Sequence, residues 1–84
     1  MAQPTDATDA LTAITEIVAA EADVDVSLVS PDSRLADDLD IDSLGRLTIV
    51  TQVEERFGMT IDDALIPTLT TVGALVELVG DHRS

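Results

Sequence analysis

Apolar residues recur at three- and four-residue steps in three parts of the chain and lose that period between them. Leu11, Ile14, Ile17 and Val18 make the first run, after a polar N-terminal stretch, and predict an amphipathic helix reaching about residue 21. The strongest run is Leu44, Leu47, Val50, Val53 and Phe57, which predicts a helix over Ser43–Phe57. Both of its ends are marked. Asp42 is a natural N-cap, because a carboxylate there accepts from the first free backbone amides, and Gly58 follows as a C-terminal stop. Val72, Leu75, Val76 and Val79 form the third run and predict a last helix capped by Thr70 or Thr71 and ending at Gly80. Residues 59–67 hold Ile61, Leu65 and Ile66 around Asp62 and Asp63, enough for about one or two helical turns before Pro67 interrupts. Residues 22–41 break the pattern around Asp23, Asp25, Pro31 and Ser33. So long a connection is expected to be functional or partly helical, with Leu28, Leu35 and Leu39 pinning it to the core. No stretch sustains period two between hairpin turns, so the predicted fold is all-α: a small four-helix bundle of three main helices and one short one.

Composition narrows the class. A chain of 84 residues makes one domain, 1–84, with residues 1–8 and 81–84 expected as flexible ends. At 45% hydrophobic it has the apolar content to fold, unlike an acidic disordered tail. With 4 basic against 17 acidic residues the formal net charge is −13, which repels nucleic acid over most of the surface. Cysteine is absent, which removes disulfides, thiolate metal sites and a catalytic thiol, and fits a cytoplasmic setting. No basic residue precedes Arg34, and no apolar run approaches a membrane span, so a soluble monomer is expected.

Few residues offer chemistry. His82, the single histidine, stands near the end of the chain and reads as a solvated tail residue rather than a general base. Asp37, Asp38, Asp40 and Asp42 crowd one short run, and the spacing from Asp38 imitates the start of a calcium loop. That match fails at its sixth position, where Ser43 replaces the required Gly, and at its twelfth, where Ile49 replaces the bidentate Glu. The plain reading is a solvated acidic loop placed favourably at a helix N-terminus. Ser43 sits beside the N-cap, exposed, with no histidine or lysine near it to activate its hydroxyl. It is therefore a second capping residue or a site modified by another enzyme, and spacing alone favours the cap.

The segment Asp38-Leu39-Asp40-Ile41-Asp42-Ser43-Leu44, followed by Glu54-Glu55-Arg56-Phe57-Gly58, Ile61, Asp63 and Leu69-Thr70-Thr71-Val72-Gly73, resembles the acyl carrier proteins of type II fatty acid synthesis, notably the actinobacterial ones. The resemblance covers most of the chain. It implies a four-helix bundle and no catalysis by the chain itself. It also implies a covalent 4′-phosphopantetheine arm, taken from coenzyme A, on Ser43 with Asp42 and Leu44 as motif neighbours. On that reading the arm's thiol carries the acyl group, which reconciles a cysteine-free chain with thioester chemistry. The implied partners are a phosphopantetheinyl transferase and then acyltransferase, ketosynthase and other synthesis enzymes with basic surfaces. Asp37, Asp38 and Asp40 form a steering field for them, and Leu44, Arg46, Glu54 and Glu55 belong to the docking helix.

The sequence departs from the family's habit at Arg46 and Thr48, where neutral and acidic residues are common, and at Ala64, Leu65 and Ile66, which replace an often acidic stretch. Gly45, inside the first turn, either loosens the turn at Ser43 or is tolerated at a cost of up to about 1 kcal/mol against Ala. Leu47, Val50, Val53, Ile61, Leu75 and Val76 are expected in the core, some of them sharing a lining for an acyl chain. Three functions follow in order: a carrier for fatty or mycolic-type acid synthesis, a dedicated carrier for a polyketide, peptide or aminoacyl pathway, and a non-carrier acidic interaction module.

Overall fold

The computed structural model of the chain describes residues 7–83, and side chains over 10–80. Three helices carry the fold: α1 (Ala7–Ala22), α2 (Ser43–Phe57) and α3 (Val72–Arg83). Two 3-10 segments, Val26–Leu28 and Asp63–Thr68, sit in the connections. Among the described residues there is no strand, only an isolated antiparallel bridge between Arg34 and Thr71, and no helix is long and apolar enough to cross a membrane. The all-α bundle is the architecture that the periodicity predicts, with one more short segment.

Helix α1 is the central member and packs against both α2 and α3. Its buried face alternates small and branched residues, Ala10, Ala13, Ile14, Val18 and Ala19. Alanines at these positions let the neighbouring helices come close while Ile14 and Val18 fill the space between. Ile49, Val50 and Val53 close the core from α2, and Val72, Leu75 and Val79 close it from α3. The connections supply Val29, Leu35, Ile41, Met59, Ile61 and Leu69.

Helix α1 and helix α2 end by one device. At the end of α1, Asp23 takes φ 60° and Val24 donates its amide to the Ala19 carbonyl at 3.0 Å. At the end of α2, Gly58 takes φ 63° and Met59 donates to the Glu54 carbonyl at 3.0 Å. Each is a left-handed residue followed by an apolar one turned back onto the core, which satisfies carbonyls the helix would leave orphaned. Gly80 has no such conformation, and α3 runs through it to Arg83, past the expected stop. Residues 81–83, expected in a flexible tail, continue that helix, and the side chain of His82 lies outside the described residues. The expected N-terminal tail falls almost wholly outside them too.

The long connection after α1 is scaffold. Arg34 organises its middle: its amide donates to Asp38 Oδ2 at 2.8 Å and its guanidinium meets Asp38 at 3.3 Å and Asp37 at 3.5 Å. Leu35 and Thr70, Val72 and Ser33, and Gly73 and Pro31 then pair by backbone hydrogen bonds, strapping the loop to the start of α3. Leu35 is buried and Leu39 partly so, as expected, but Leu28 is 66% exposed and pins nothing. The 3-10 turn that carries Leu28 is fixed instead by Asp25, which caps it through the Ser27 amide at 3.0 Å. Pro67 lies inside the second 3-10 segment rather than ending it. So short a segment asks few internal donors of its residues, and one missing N–H is tolerated.

Candidate functional site

Ser43 is the first residue of α2, exposed, with Asp42 in extended conformation before it. Asp42 is the N-cap as predicted: its Oδ1 accepts from the Gly45 amide at 2.8 Å, and its carbonyl accepts from Arg46 at 2.9 Å. The cap thus takes the third amide of the helix and leaves those of Ser43 and Leu44 without intrahelical acceptors.

Gly45 has a reason that the sequence did not reveal. It is buried, and a Cβ built there would lie 2.7 Å from Ile41 Cγ2, close to the branch point of a core side chain that has little freedom to yield. The glycine lets the Ile41-Asp42 turn press onto the first turn of α2, and so fixes where Ser43 is presented.

An open groove of about 420 Å³ begins at Ser43 and is lined by Arg46, Leu47, Asp63, Ile66 and Pro67. Its floor comes from α2 and its rim from the second 3-10 segment, so two elements distant in sequence build it. Leu47, expected in the core, is 49% exposed on this groove, and Leu44 beside it is 73% exposed. Val76, also expected in the core, is only partly buried, whereas Val50, Val53, Ile61 and Leu75 are buried. Ile49, which the sequence pattern did not place in the stripe, is fully buried.

The acidic residues assigned to docking divide into two sets. Asp37 and Asp38 pair with Arg34, and the hydrogen bonds from the Arg34 amide and guanidinium hold the Asp38 carboxyl below its usual range. The same contacts raise the Arg34 guanidinium further. Glu54 is half-buried and accepts from the Ile61 amide at 2.7 Å, tying the end of α2 to the following loop. Asp40, in left-handed conformation at φ 57°, and Glu55 are exposed. Asp37, Asp38 and Glu54 therefore serve the fold before any partner arrives, and Asp40 and Glu55 do not.

The groove suits a phosphopantetheine arm on physical grounds. Ser43 offers an exposed hydroxyl at its mouth, the walls are largely apolar, and Arg46 contributes a buried Nε with no hydrogen-bond partner. Among the described residues no cluster of His, Cys, Asp or Glu is arranged to hold a metal ion. Arg46, read in the sequence as a docking residue, could have been placed beside Ser43 by its i+3 spacing on one helix face. Nothing local announced that Asp63, Ile66 and Pro67 would complete the rim.

Comparison with known proteins agrees with this arrangement. The family described as a phosphopantetheine attachment site matches residues 12–79. An acyl carrier protein of Beutenbergia cavernae is 42% identical over 74 residues, covering 88% of this chain and 90% of that protein. One of Myxococcus xanthus is 39% identical over 69 residues, covering 82% and 87%. A solved acyl carrier protein from Enterococcus faecalis superposes with a TM-score of 0.78 at 26% identity, covering 92% of this chain and 98% of that one. These matches set aside the reading as a non-carrier interaction module. The family model and the relatives agree, and the chain belongs to the acyl carrier proteins, non-catalytic carriers that receive a covalent 4′-phosphopantetheine from a phosphopantetheinyl transferase and serve synthesis enzymes.

Proposed function

We propose that Ser43 is the residue that bears the arm, and that this carrier serves fatty acid synthesis as a monomer. The observation that carries the assignment is the placement of Ser43: exposed, at the first position of α2, fixed between the Asp42 cap and the Gly45 contact, and opening onto an apolar groove. In the loading step Ser43 Oγ attacks the pantetheine-side phosphorus of coenzyme A. The Oγ–P bond forms, the bond from that phosphorus to the bridging oxygen breaks, and 3′,5′-ADP leaves. The hydroxyl proton passes to a base of the transferase, since the chain has no histidine or lysine near Ser43 and the Asp42 carboxylate is engaged by the Gly45 amide. The arm supplies a thiol that holds an acyl group as a thioester. The chain's own residues orient and expose: Asp42 fixes the first turn, and Leu44 stands outward as an apolar contact for a partner.

Intact mass after incubation with a phosphopantetheinyl transferase and coenzyme A tests the assignment. One arm on the wild type and none on Ser43→Ala is the expected result, and an arm retained by Ser43→Ala would sink it. The relatives' name as acyl carrier proteins favours fatty acid synthesis, with mycolic-type synthesis as its narrower form. Arg46 and Thr48 favour the second reading, a dedicated carrier of a polyketide, peptide or aminoacyl pathway. Mass of the protein from its own host, before and after thioester cleavage, separates them by cargo.

A further inference from the structure

Arg46 stands three residues after Ser43, which puts their side chains on one face of α2, roughly 5–6 Å apart at Cβ, and both line the same groove. Its Nε is buried without a hydrogen-bond partner, and no other side-chain nitrogen or oxygen among the described residues is in that condition. Arg34 is engaged by Asp37 and Asp38, but Arg46 forms no ion pair among the described residues, even though Asp63 lines the same groove. A half-buried guanidinium left without an acceptor invites one.

We infer that Arg46 is a positioning residue for the arm: its guanidinium donates to the non-bridging oxygens of the phosphodiester on Ser43, and Leu47, Ile66 and Pro67 receive the pantoyl methyl groups that follow. The inference rests on Ser43 bearing the arm. A forked, planar guanidinium matches a phosphate in a way that a point charge does not. Charge gives the second reason. Loading adds an anion to a chain of formal charge −13, between Asp42 at the cap and Asp63 on the rim. Without a cation in reach, loading should destabilise the fold by like-charge repulsion. With Arg46 in reach the sign reverses.

The test compares apo and transferase-loaded protein, labelled with 15N, for the wild type, Arg46→Gln and Arg46→Lys. On loading, the Arg46 Nε–H signal should move while those of Arg34 and Arg56 stay in place. The loaded wild type should melt about 2–4 °C above apo at low salt, the loaded Arg46→Gln at or below its apo form, and Arg46→Lys in between. Should Arg46→Gln fail to fold, the Nε–H signal of the wild type decides. A loaded wild type whose Arg46 signal is unmoved overturns the inference alone, as does a signal that moves only once an acyl group is attached. Absence of the arm from Ser43 overturns the attachment reading as well, and intact mass tells the two failures apart.

Discussion

From Ser43 to Thr48, α2 turns its large residues outward: Leu44 and Leu47 are exposed, and Arg46 faces a groove. From Ile49 to Phe57 the same helix buries Ile49, Val50 and Val53, and its end is latched by Glu54 on the Ile61 amide and by the left-handed Gly58. Apolar content is similar in the two halves, so hydrophobicity does not separate them. What separates them is which side chains the bundle buries. The second half buries three branched side chains in the core, whereas the first buries only Gly45, against Ile41 and beside Glu21 of α1, and has the second 3-10 segment across the groove. One helix thus anchors itself at one end and presents chemistry at the other, and the presenting end stays rigid because it is continuous with the anchored one.

Substitutions two residues apart break this comparison most sharply. Ile49→Ala should cost about 2–5 kcal/mol, because it opens a cavity in a filled core, while Leu47→Ala should stay within about 0.5 kcal/mol. Denaturant unfolding of both variants checks this, and equal losses would mean that the halves are not distinct. Partner binding should show the reverse ranking, with Leu47→Ala and Leu44→Ala speeding dissociation.

Gly45→Ala comes next. Helix propensity alone favours Ala by up to about 1 kcal/mol, but the contact with Ile41 should reverse the sign and leave a net loss of about 1–2 kcal/mol. A double-mutant cycle with Ile41→Ala sharpens the point, since the penalty should shrink once Cγ2 is gone. A Gly45→Ala protein that melts higher than wild type would dismiss the close approach.

Asp42→Ala removes the cap from the presenting end and should cost about 0.5–2 kcal/mol, with slower loading of Ser43 by the transferase. Normal loading at lowered stability would show that the cap serves the helix and not the presentation of the serine.

The smallest effect concerns the Arg34 hub. The Asp38 carboxyl is held below its usual range by hydrogen bonds to Arg34, so its contribution is present above the ordinary carboxylate value, about pH 4, and is lost as pH falls through the lower folded value. Asp38→Asn should therefore melt slightly below wild type at pH 7 and match it once Asp38 is protonated. A difference that grows in acid would reverse the assignment. Comparing the two proteins at each pH removes the general relief of repulsion that acid brings to so acidic a chain.

How much of this was legible before folding depends on the range of each interaction. Both ends of α2 were readable because their causes are local: a carboxylate one residue before the helix and a glycine one residue after. The stripe along α2 was misread for an equally definite reason. Each three-residue step falls about 60° short of a full turn, so Leu44, Leu47, Val50 and Val53 sweep around roughly half the helix instead of marking one face. The true buried set, Ile49, Val50 and Val53, straddles the last part of that sweep. Where the sweep passes from core to solvent depends on where α1 lies, which no window of α2 contains.

By itself the sequence determined the fold class, the three helices, the cap at Asp42 and the exposure of Ser43, all set by hydrophobic period and by residues within one turn. Tertiary structure decided the rest. It brought Asp63, Ile66 and Pro67 across to Ser43 and Arg46, and it tied Glu54 to the Ile61 amide beyond the end of α2. Those outcomes depend on which segments meet when α1 buries its face against α2 and α3, and a side chain's local spacing carries no record of what the bundle will place opposite it.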